Sequence, residues 1–497
     1  MWISFKIVYQ KIIKIRCVNM KKSIRVNYIY NLIYQVVAII LPFITTPYAS
    51  RVLGATNIGI YGYTISISAY FILFGSLGIA LYGQREIAYE QNNRKKYSQT
   101  FIEILLLRII TMTISLLIFF LLFCIKGQYN IYFKILLLEI IANALDISWF
   151  FQGLEEFKKT VTRNLIIKII SVILIFTFVN TKKDLNIYFI IYSLSMLIGN
   201  LSLWFYLPEF ITIKHIKRLN LKKHLKSTLV LFIPQIAIQV YTILDKTMLG
   251  TIITNKAEVG YYTQAEKMIK LMLTIITSLG TVMLPRIANS YAKGDSETIK
   301  IYITRAFNLV FLISIPMIIG IISVSYIFVP WFFGKGYDKV IPVMCILTPI
   351  LLFIGMSNVI GMQFLLPTKK QKEYTYSVVI GAVSNFIINL ILIPKLGAVG
   401  AAIGTIIAEC SVTISQIVFT RKQIDYKEIL KLSKNYIISS IVMLLVLLLC
   451  KTLLNTSVIS MFIQIIIGIA TYGICLIILK DKFIQYFLNT FKSYIKK

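Results

Sequence analysis

Charged side chains within long apolar segments are the residues of this sequence that could do chemistry. A charge at the middle of a bilayer costs at least about 2.5–3.5 kcal/mol on the insertion scale, so it needs a partner or a water-filled cavity. Such residues form two layers here, and one further acid stands alone. We therefore take them as the candidate site residues.

The first charged layer lies on the third, fourth and fifth apolar segments. Arg108, Asp146 and Lys168 sit at similar depth from the predicted inner ends of these segments, so they are expected to form one buried group. Glu139 lies seven residues before Asp146, which predicts the same helix face two turns away. Arg108 is a candidate for binding an anionic substrate. The alternative is an ion-paired group that only holds the helices together.

The second charged layer lies near the predicted outer ends of the seventh and eighth segments. Asp245 and Lys246 are on the seventh, while Glu266, Lys267 and Lys270 are on the eighth. Lys267 and Lys270 are three residues apart and share a helix face. Asp245 is expected to pair with Lys267 or Lys246, and the surplus lysines predict a binding site for an anionic ligand. The alternative is that the lysines reach out to the membrane interface.

The isolated acid is Glu409, near the middle of the twelfth segment, with no obvious partner in the sequence. It is either a protonated, neutral acid or an ion-coupling site. Asp245, Asp146 and Glu139 would couple an ion or balance charge, as would Lys168. His215 and His224 are too few, and as residues of a basic loop too exposed, to predict a metal site. No cofactor motif and no catalytic group is apparent.

Fourteen long apolar stretches must position these residues. Hydrophobic residues make up 58% of the 497-residue chain, and a run of about 18 or more can cross the hydrocarbon layer as a helix. The sequence therefore predicts an all-α polytopic membrane protein with about 14 transmembrane helices. The expected spans are 28–50, 58–82, 101–125, 129–152, 161–180, 185–207, 226–249, 263–290, 305–328, 341–366, 374–394, 397–420, 434–455 and 457–479.

The net charge of +32 could suggest a nucleic-acid partner, but the positions of the basic residues argue otherwise. With the N-terminus inside, the inner segments hold 32 Lys and Arg and the outer loops hold 8. That asymmetry is the positive-inside rule, and it predicts that both termini are cytoplasmic. The expected partners of this charge are anionic membrane lipids.

A short motif occurs twice in the same orientation. Val52–Gly54 and Ile58–Thr64 follow the first span, and Met248–Gly250 and Val259–Thr263 follow the seventh. Six spans separate the copies, which predicts two pseudo-symmetric six-helix lobes and two extra C-terminal helices. The expected parts are a basic tail 1–27 (with 1–19 a possible upstream extension before Met20), lobe 28–207, loop 208–225, lobe 226–420, loop 421–433, helices 434–479 and basic tail 480–497.

Five stretches of the sequence carry a family resemblance. They are Asn31–Glu86 with Gly83-Gln84-Arg85-Glu86, Pro234-Gln235, Leu244–Gly250, Tyr262–Gly294 and Pro394–Ala402. Together they resemble polysaccharide repeat-unit flippases of the Wzx or RfbX type, which belong to the multidrug/oligosaccharidyl-lipid/polysaccharide exporter superfamily. The stretch from Tyr262 to Gly294 is also similar to the matching helix of the lipid II flippases in that superfamily.

This resemblance implies two lobes around a central cavity, with alternating access. It implies transport of an undecaprenyl-pyrophosphate-linked oligosaccharide to the outer leaflet of a bacterial plasma membrane, for capsule, O-antigen or exopolysaccharide synthesis. The expected partners are a polysaccharide polymerase and a chain-length regulator. Only Lys267 matches a basic cavity residue of the lipid II branch. The first two spans lack that branch's arginines, which favours a polysaccharide repeat unit over lipid II.

Other functions remain open at this level. A polysaccharide polymerase or membrane glycosyltransferase would be an enzyme, but such enzymes typically need a sizeable outer loop, and none is present. A cation-coupled multidrug exporter or a lipid II exporter of the same superfamily is the nearer alternative. A scaffold without transport activity conflicts with the intramembrane charges. We expect a transporter and not an enzyme.

Overall fold

A computed structural model describes residues 24–212, 219–481 and 483–485. Within these ranges the chain is helical and contains no strand, which confirms the predicted all-α class. The tail before residue 24, the segment with His215, and most of the C-terminal tail lie outside the described residues. Predictions about those parts therefore stay predictions.

The long helices follow from apolar runs whose backbone groups can be satisfied only within the helix when lipid surrounds them. Ten helical segments of the described chain are long and apolar enough to cross a membrane, so the exact count of fourteen stays a prediction. The helices are α1 (Ile24–Ser76), α2 (Ile79–Glu90), α3 (Arg94–Phe119), α4 (Asn130–Ala144), α5 (Ser148–Gly153), α6 (Phe157–Phe178), α7 (Leu185–Ser202), α8 (Leu207–Phe210), α9 (Leu221–Ile252), α10 (Ala257–Ala292), α11 (Ser296–Phe333), α12 (Val340–Leu347), α13 (Ile350–Ser357), α14 (Gln371–Leu396), α15 (Ala398–Thr420), α16 (Tyr426–Leu453) and α17 (Val458–Ile478).

Local breaks interrupt three of the predicted spans or their connections. The first two spans run on as α1, with a single non-helical residue, Gly54, at φ 78° and ψ 167°. Glycine suits this position because it has no Cβ to clash at positive φ. The tenth span is divided into α12, α13 and a wider helical segment, Asn358–Leu365.

The fourth span is broken as well, and this corrects one prediction. Its first helix, α4, ends at Ala144, and Asp146 lies in the break before α5. The helical repeat that would place Glu139 and Asp146 on one face therefore stops before Asp146. The two residues do not share a helix face.

The described chain divides into two compact units. The first takes in residues up to Thr45, 74–179 and 186–231, and the second takes in 46–73, 180–185 and residues from 232 onward. In the first unit Phe101 stacks on Trp149 with ring centroids 5.5 Å apart and packs on Phe150 at 4.6 Å. Gly83 lies against the Trp149 ring, where any side chain would overlap it. This aromatic core joins α2, α3 and α5.

In the second unit, small residues bring α14 and α15 close together. A side chain at Gly400 would overlap the backbone carbonyl of Leu392, and one at Gly404 would overlap the amide oxygen of Asn389. Small residues let helix backbones approach in this way. The close approach fixes Asn389 beside α15, which matters for the site described next.

Candidate functional site

A buried carboxylate held by neutral donors lies at the centre of the second unit. Asp245 on α9 is only 2% exposed. Its Oδ2 accepts hydrogen bonds from the Tyr262 hydroxyl at 2.6 Å and the Thr405 hydroxyl at 2.9 Å. Its Oδ1 accepts from the side-chain amides of Asn385 at 3.0 Å and Asn389 at 2.6 Å. We call these five residues the Asp245 cage.

The Asp245 cage corrects the expectation that Asp245 pairs with Lys246 or Lys267. No base lies within ion-pairing distance of Asp245 in the described ranges. The Asn389 amide oxygen, also buried, has no hydrogen-bond partner there. A buried carboxylate without a counter-ion is costly. Carboxylate, amide and hydroxyl oxygens are the ligands of hard cations, so the cage can hold a proton or a small cation.

Two lysines contact one buried acid in the same unit, and a third lysine is its neighbour in the chain. Glu266 on α10 accepts Lys246 Nζ at 2.7 Å and Lys270 Nζ at 2.6 Å, one on each carboxylate oxygen. Lys267 is half-buried, and no carboxylate among the described residues lies within 4 Å of it. Three lysines against one glutamate leave two positive charges uncompensated. We call these four residues the lysine cluster.

The two copies of the repeated motif meet at a pair of glycines. A side chain at Gly59 would overlap the backbone carbonyl of Lys256, and a side chain at Gly260 would overlap the backbone carbonyl of Ala55. Each carbonyl lies four residues before the glycine of its own copy. The contact is therefore reciprocal, as expected if a local two-fold axis relates the copies. We call it the glycine crossing.

Hydrogen bonds flank the glycine crossing on both sides. The Gln264 side-chain amide donates to the Ser50 hydroxyl at 2.8 Å, and the Thr247 hydroxyl donates to the Ser66 hydroxyl at 2.9 Å. The Tyr337 hydroxyl donates to the Ser50 carbonyl at 3.1 Å. Such neutral bonds contribute about 0.5–1.5 kcal/mol each, so they stabilise the contact only modestly.

Comparison of the sequence with known protein families finds two matches. The profile of the family described as polysaccharide biosynthesis protein matches residues 24–291, more than half of the chain. The chain belongs to the polysaccharide biosynthesis protein family. A second profile, described as lipid II flippase MurJ, matches residues 166–468, which also exceeds half of the chain. The resemblance to the exporter superfamily predicted from the sequence is confirmed.

Individual relatives of this polysaccharide biosynthesis family member span most of its length. A protein of Escherichia coli (strain K12) named "Putative O-antigen transporter" is 26% identical over 81% of this chain and 97% of its own. The structure titled lipid II flippase MurJ, inward closed conformation, superposes with a TM-score of 0.74 at 20% identity, covering 92% and 99% of the two chains. An inward-facing MATE multidrug transporter gives a TM-score of 0.63 at 15% identity, covering 82% and 96%. The last two show the shared fold.

The first charged layer of this family member is only partly assembled. Arg108 is buried and lies 3.7 Å from an Asp146 carboxylate oxygen, so the predicted pair is present. Its Nε donates at 2.8 Å to the backbone carbonyl of Asn143, the shorter contact. Glu139 is half-buried and forms no salt bridge among the described residues. Lys168 is half-buried on α6, and the roles of all four residues stay predictions.

Sequence reasoning missed a buried polar chain in the first unit and misjudged one histidine. His224, expected to be exposed, is 1% exposed. Its Nε2 lies 2.7 Å from Glu103 and its Nδ1 lies 2.8 Å from the Tyr82 hydroxyl. Glu103 also accepts from the Gln99 side chain and from the Asn220 backbone N–H. The sequence signal that could have revealed this polar chain was Glu103, an acid just inside the third predicted span.

The amide donors of the Asp245 cage were missed as well. Asn385 and Asn389 stand four residues apart on α14, so both lie on one helix face. Two amides at this spacing inside an apolar span are themselves a signal for a polar site within the membrane. The described residues hold no group of three or more His, Cys, Asp or Glu side chains placed to bind a metal ion.

Proposed function

We propose that this protein flips an undecaprenyl-pyrophosphate-linked oligosaccharide repeat unit from the inner to the outer leaflet by alternating access. It is a multi-pass membrane transport protein and not an enzyme, as its relatives are transporters and flippases. The named relative from Escherichia coli supports an O-antigen type of substrate. The product would enter capsule, O-antigen or exopolysaccharide synthesis.

The observation that carries this proposal is the lysine cluster. A pyrophosphate linked to sugars is anionic and too polar to cross hydrocarbon unaided, so its carrier must offer positive charge inside the membrane. Lys246 and Lys270 already share Glu266, while Lys267 has no described carboxylate beside it. Lys270 is 47% exposed at its side chain, so the cluster is open on one side. Charge-assisted bonds to phosphate are among the stronger hydrogen bonds available to it.

The Asp245 cage would provide the coupling to an ion. Its four donors are neutral, and a proton or small cation entering the cage would neutralise Asp245 without breaking a salt bridge. A ligand can shift a conformational equilibrium only by its differential affinity for the two states. We propose that Asp245 is the residue that binds the ion with different affinity in the two states. The glycine crossing is the contact that would open and close during alternating access.

The cellular setting follows from the charge pattern. We propose a bacterial plasma membrane with both termini in the cytoplasm, because segments rich in Lys and Arg alternate with loops that hold few of them. A polysaccharide polymerase and a chain-length regulator would act on the flipped product in the outer leaflet. The expected contacts are with membrane lipids and the lipid-linked substrate, and not with nucleic acid.

Reconstitution tests the function directly. The purified full-length chain in proteoliposomes is expected to move an undecaprenyl-pyrophosphate-linked oligosaccharide to the opposite leaflet, detected by its new accessibility to an added glycosidase. Lipid II is the second candidate, because the MurJ profile also matches the chain. Lipid II should be moved more slowly than the oligosaccharide. Faster movement of lipid II would assign the protein to that substrate, and movement of neither would contradict the flippase function.

Replacing Lys267 with glutamine is expected to raise the KM for the lipid-linked oligosaccharide about tenfold. A lost charge-assisted hydrogen bond is worth about 1.5–3 kcal/mol, and 1.4 kcal/mol corresponds to a factor of ten. Lys267 is the cleanest position because its removal leaves the Glu266 pairs with Lys246 and Lys270 intact. Lys335→Gln, at an exposed site, is the control. Equal KM values for the two variants would remove Lys267 from substrate binding.

A further inference from the structure

A small polar cavity lies beside Glu409 in the second unit. Glu409 on α15 is 5% exposed, and its Oε1 accepts a hydrogen bond from the Tyr241 hydroxyl at 3.2 Å. This contact corrects the expectation that Glu409 has no partner. The cavity encloses about 120 Å³. Its polar lining consists of Tyr241, Ser357, Asn358, Tyr374, Glu409 and Gln416.

Glu409 forms no salt bridge within the described ranges. Its hydrogen-bond donor is a neutral phenol, and Lys270 acts on its charge only from beyond ion-pairing distance. A buried carboxylate without a salt bridge is costly, and a proton or a cation bound to it would lower that cost. Space for several water-sized molecules beside it makes a partly hydrated cation sterically possible.

One amide oxygen in the rest of the lining has no hydrogen-bond donor. The Gln416 amide nitrogen donates to Ser377 at 3.1 Å, and the Gln416 carbonyl oxygen, buried, has no hydrogen-bond partner in the described chain. The Asn358 amide oxygen already accepts from Gln363 at 3.2 Å. The Gln416 amide oxygen, which has no donor, and the Glu409 carboxylate, which accepts from one phenol, line the same cavity. Both are oxygens of the kind that hard cations take as ligands.

Glu409 also stands in register with the Asp245 cage. Tyr241 precedes Asp245 by four residues on α9, and Thr405 precedes Glu409 by four residues on α15. Residues four apart are neighbours on one helix face. Tyr241–Glu409 and Asp245–Thr405 are therefore successive layers of the same two helices, about one 5.4 Å turn apart. The two buried carboxylates form a short column.

We propose that Glu409, Gln416 and the cavity they line form a second binding site for a small monovalent cation, one helical turn from Asp245. Its binding role stands on this geometry, and its role in transport rests on the ion coupling proposed for Asp245. With a site at each end of the column, a cation leaving the Asp245 cage has an adjacent carboxylate to move to. Water completes the coordination in the cavity.

Cation counting with the purified full-length chain tests the second site. Binding of radioactive Na⁺ is expected to saturate at two ions per chain in the wild type and at one in Glu409→Gln. Gln416→Leu should weaken that second site about tenfold, as lost ligand-shell groups do. Glu297→Gln, which alters an exposed acid, is the control and should bind two.

The outcomes separate this site from the proposed function. Asp245→Asn should bind one Na⁺, and the double variant Asp245→Asn/Glu409→Gln should bind none. Equal Na⁺ binding by the wild type and Glu409→Gln overturns the second site. It is also overturned if Glu409 releases a proton as the pH is raised and this release does not depend on the Na⁺ concentration. Because binding is measured without substrate, failure of oligosaccharide flipping leaves this result unaffected. The thermal unfolding midpoint of each variant checks that it is folded.

Discussion

Replacing Gly59 with leucine is expected to lower flipping of the lipid-linked oligosaccharide by at least about tenfold. Even a Cβ at this position would overlap the Lys256 carbonyl, so α1 and α10 must move apart to accommodate a larger side chain. Overpacking of this kind costs about 1–3 kcal/mol, and 1.4 kcal/mol corresponds to a factor of ten. The cost falls on the state in which the crossing is closed. The population of that state, and with it the transport cycle, is reduced.

The measurement is the flipping rate in proteoliposomes, compared with Gly320→Leu. Gly320 lies in α11, where an added Cβ would meet no atom within 4 Å. That control should retain nearly full activity. A wild-type rate in Gly59→Leu would show that the glycine crossing takes no part in transport.

The reciprocity of the crossing gives a second readout. Gly59→Ala and Gly260→Ala each push the same two backbones apart. Once one substitution has separated the backbones, the other has less to disturb. The loss of free energy in the double variant should therefore be smaller than the sum of the losses in the two single variants. Fully additive losses would mean that the two glycines act independently.

Replacing Asp245 with asparagine is expected to lower gradient-driven flipping about a hundredfold or more. The substitution keeps the size of the side chain but removes the charge that would attract a cation. It also places an amide N–H₂ among donors from Tyr262, Asn385 and Asn389. Donors facing donors inside a protein are unfavourable, and a lost buried charge-assisted bond alone is worth about 1.5–3 kcal/mol.

The decisive measurement compares flipping with and without an imposed cation gradient. In Asp245→Asn the stimulation by the gradient should vanish, while exchange of substrate between leaflets at equal cation concentration should fall less. Asp338→Asn, at an exposed acid, is the matched control and should respond to the gradient as the wild type does. A variant at Asp245 that still responds fully would exclude the cage from coupling.

Much of the fold could be predicted from composition alone. The apolar length needed to cross a bilayer and the lack of water for backbone groups leave few choices besides helices at these stretches. The repeated motif with Gly59 and Gly260 marked two places that meet in the fold, because a close crossing of two backbones requires glycine at both. The charged residues of α9 and α10 stood out in the sequence because a charge inside a membrane is costly and therefore rare.

The partners of those charges could not be predicted in the same way. Asp245 was expected beside a lysine, but its hydrogen-bond donors come from three helices, α10, α14 and α15. Lys246 instead pairs with Glu266. Helical spacing orders residues along one helix, whereas the rotation and approach of neighbouring helices decide which side chains meet. Here Gly404 sets that approach by admitting Asn389 against α15.

The sequence by itself determined the helical class, the family and the residues whose charge requires an explanation. Those properties depend on hydrophobic length, charge and local spacing, which are written along the chain. Only the tertiary structure decided that Asp245 sits in a neutral cage, that Glu409 borders a cavity, that His224 is buried and that Asp146 lies outside the helix of Glu139. Each of these depends on contacts between distant segments or on a local break in a helix. Neither tertiary contacts nor helix breaks follow a regular spacing that can be seen in the sequence.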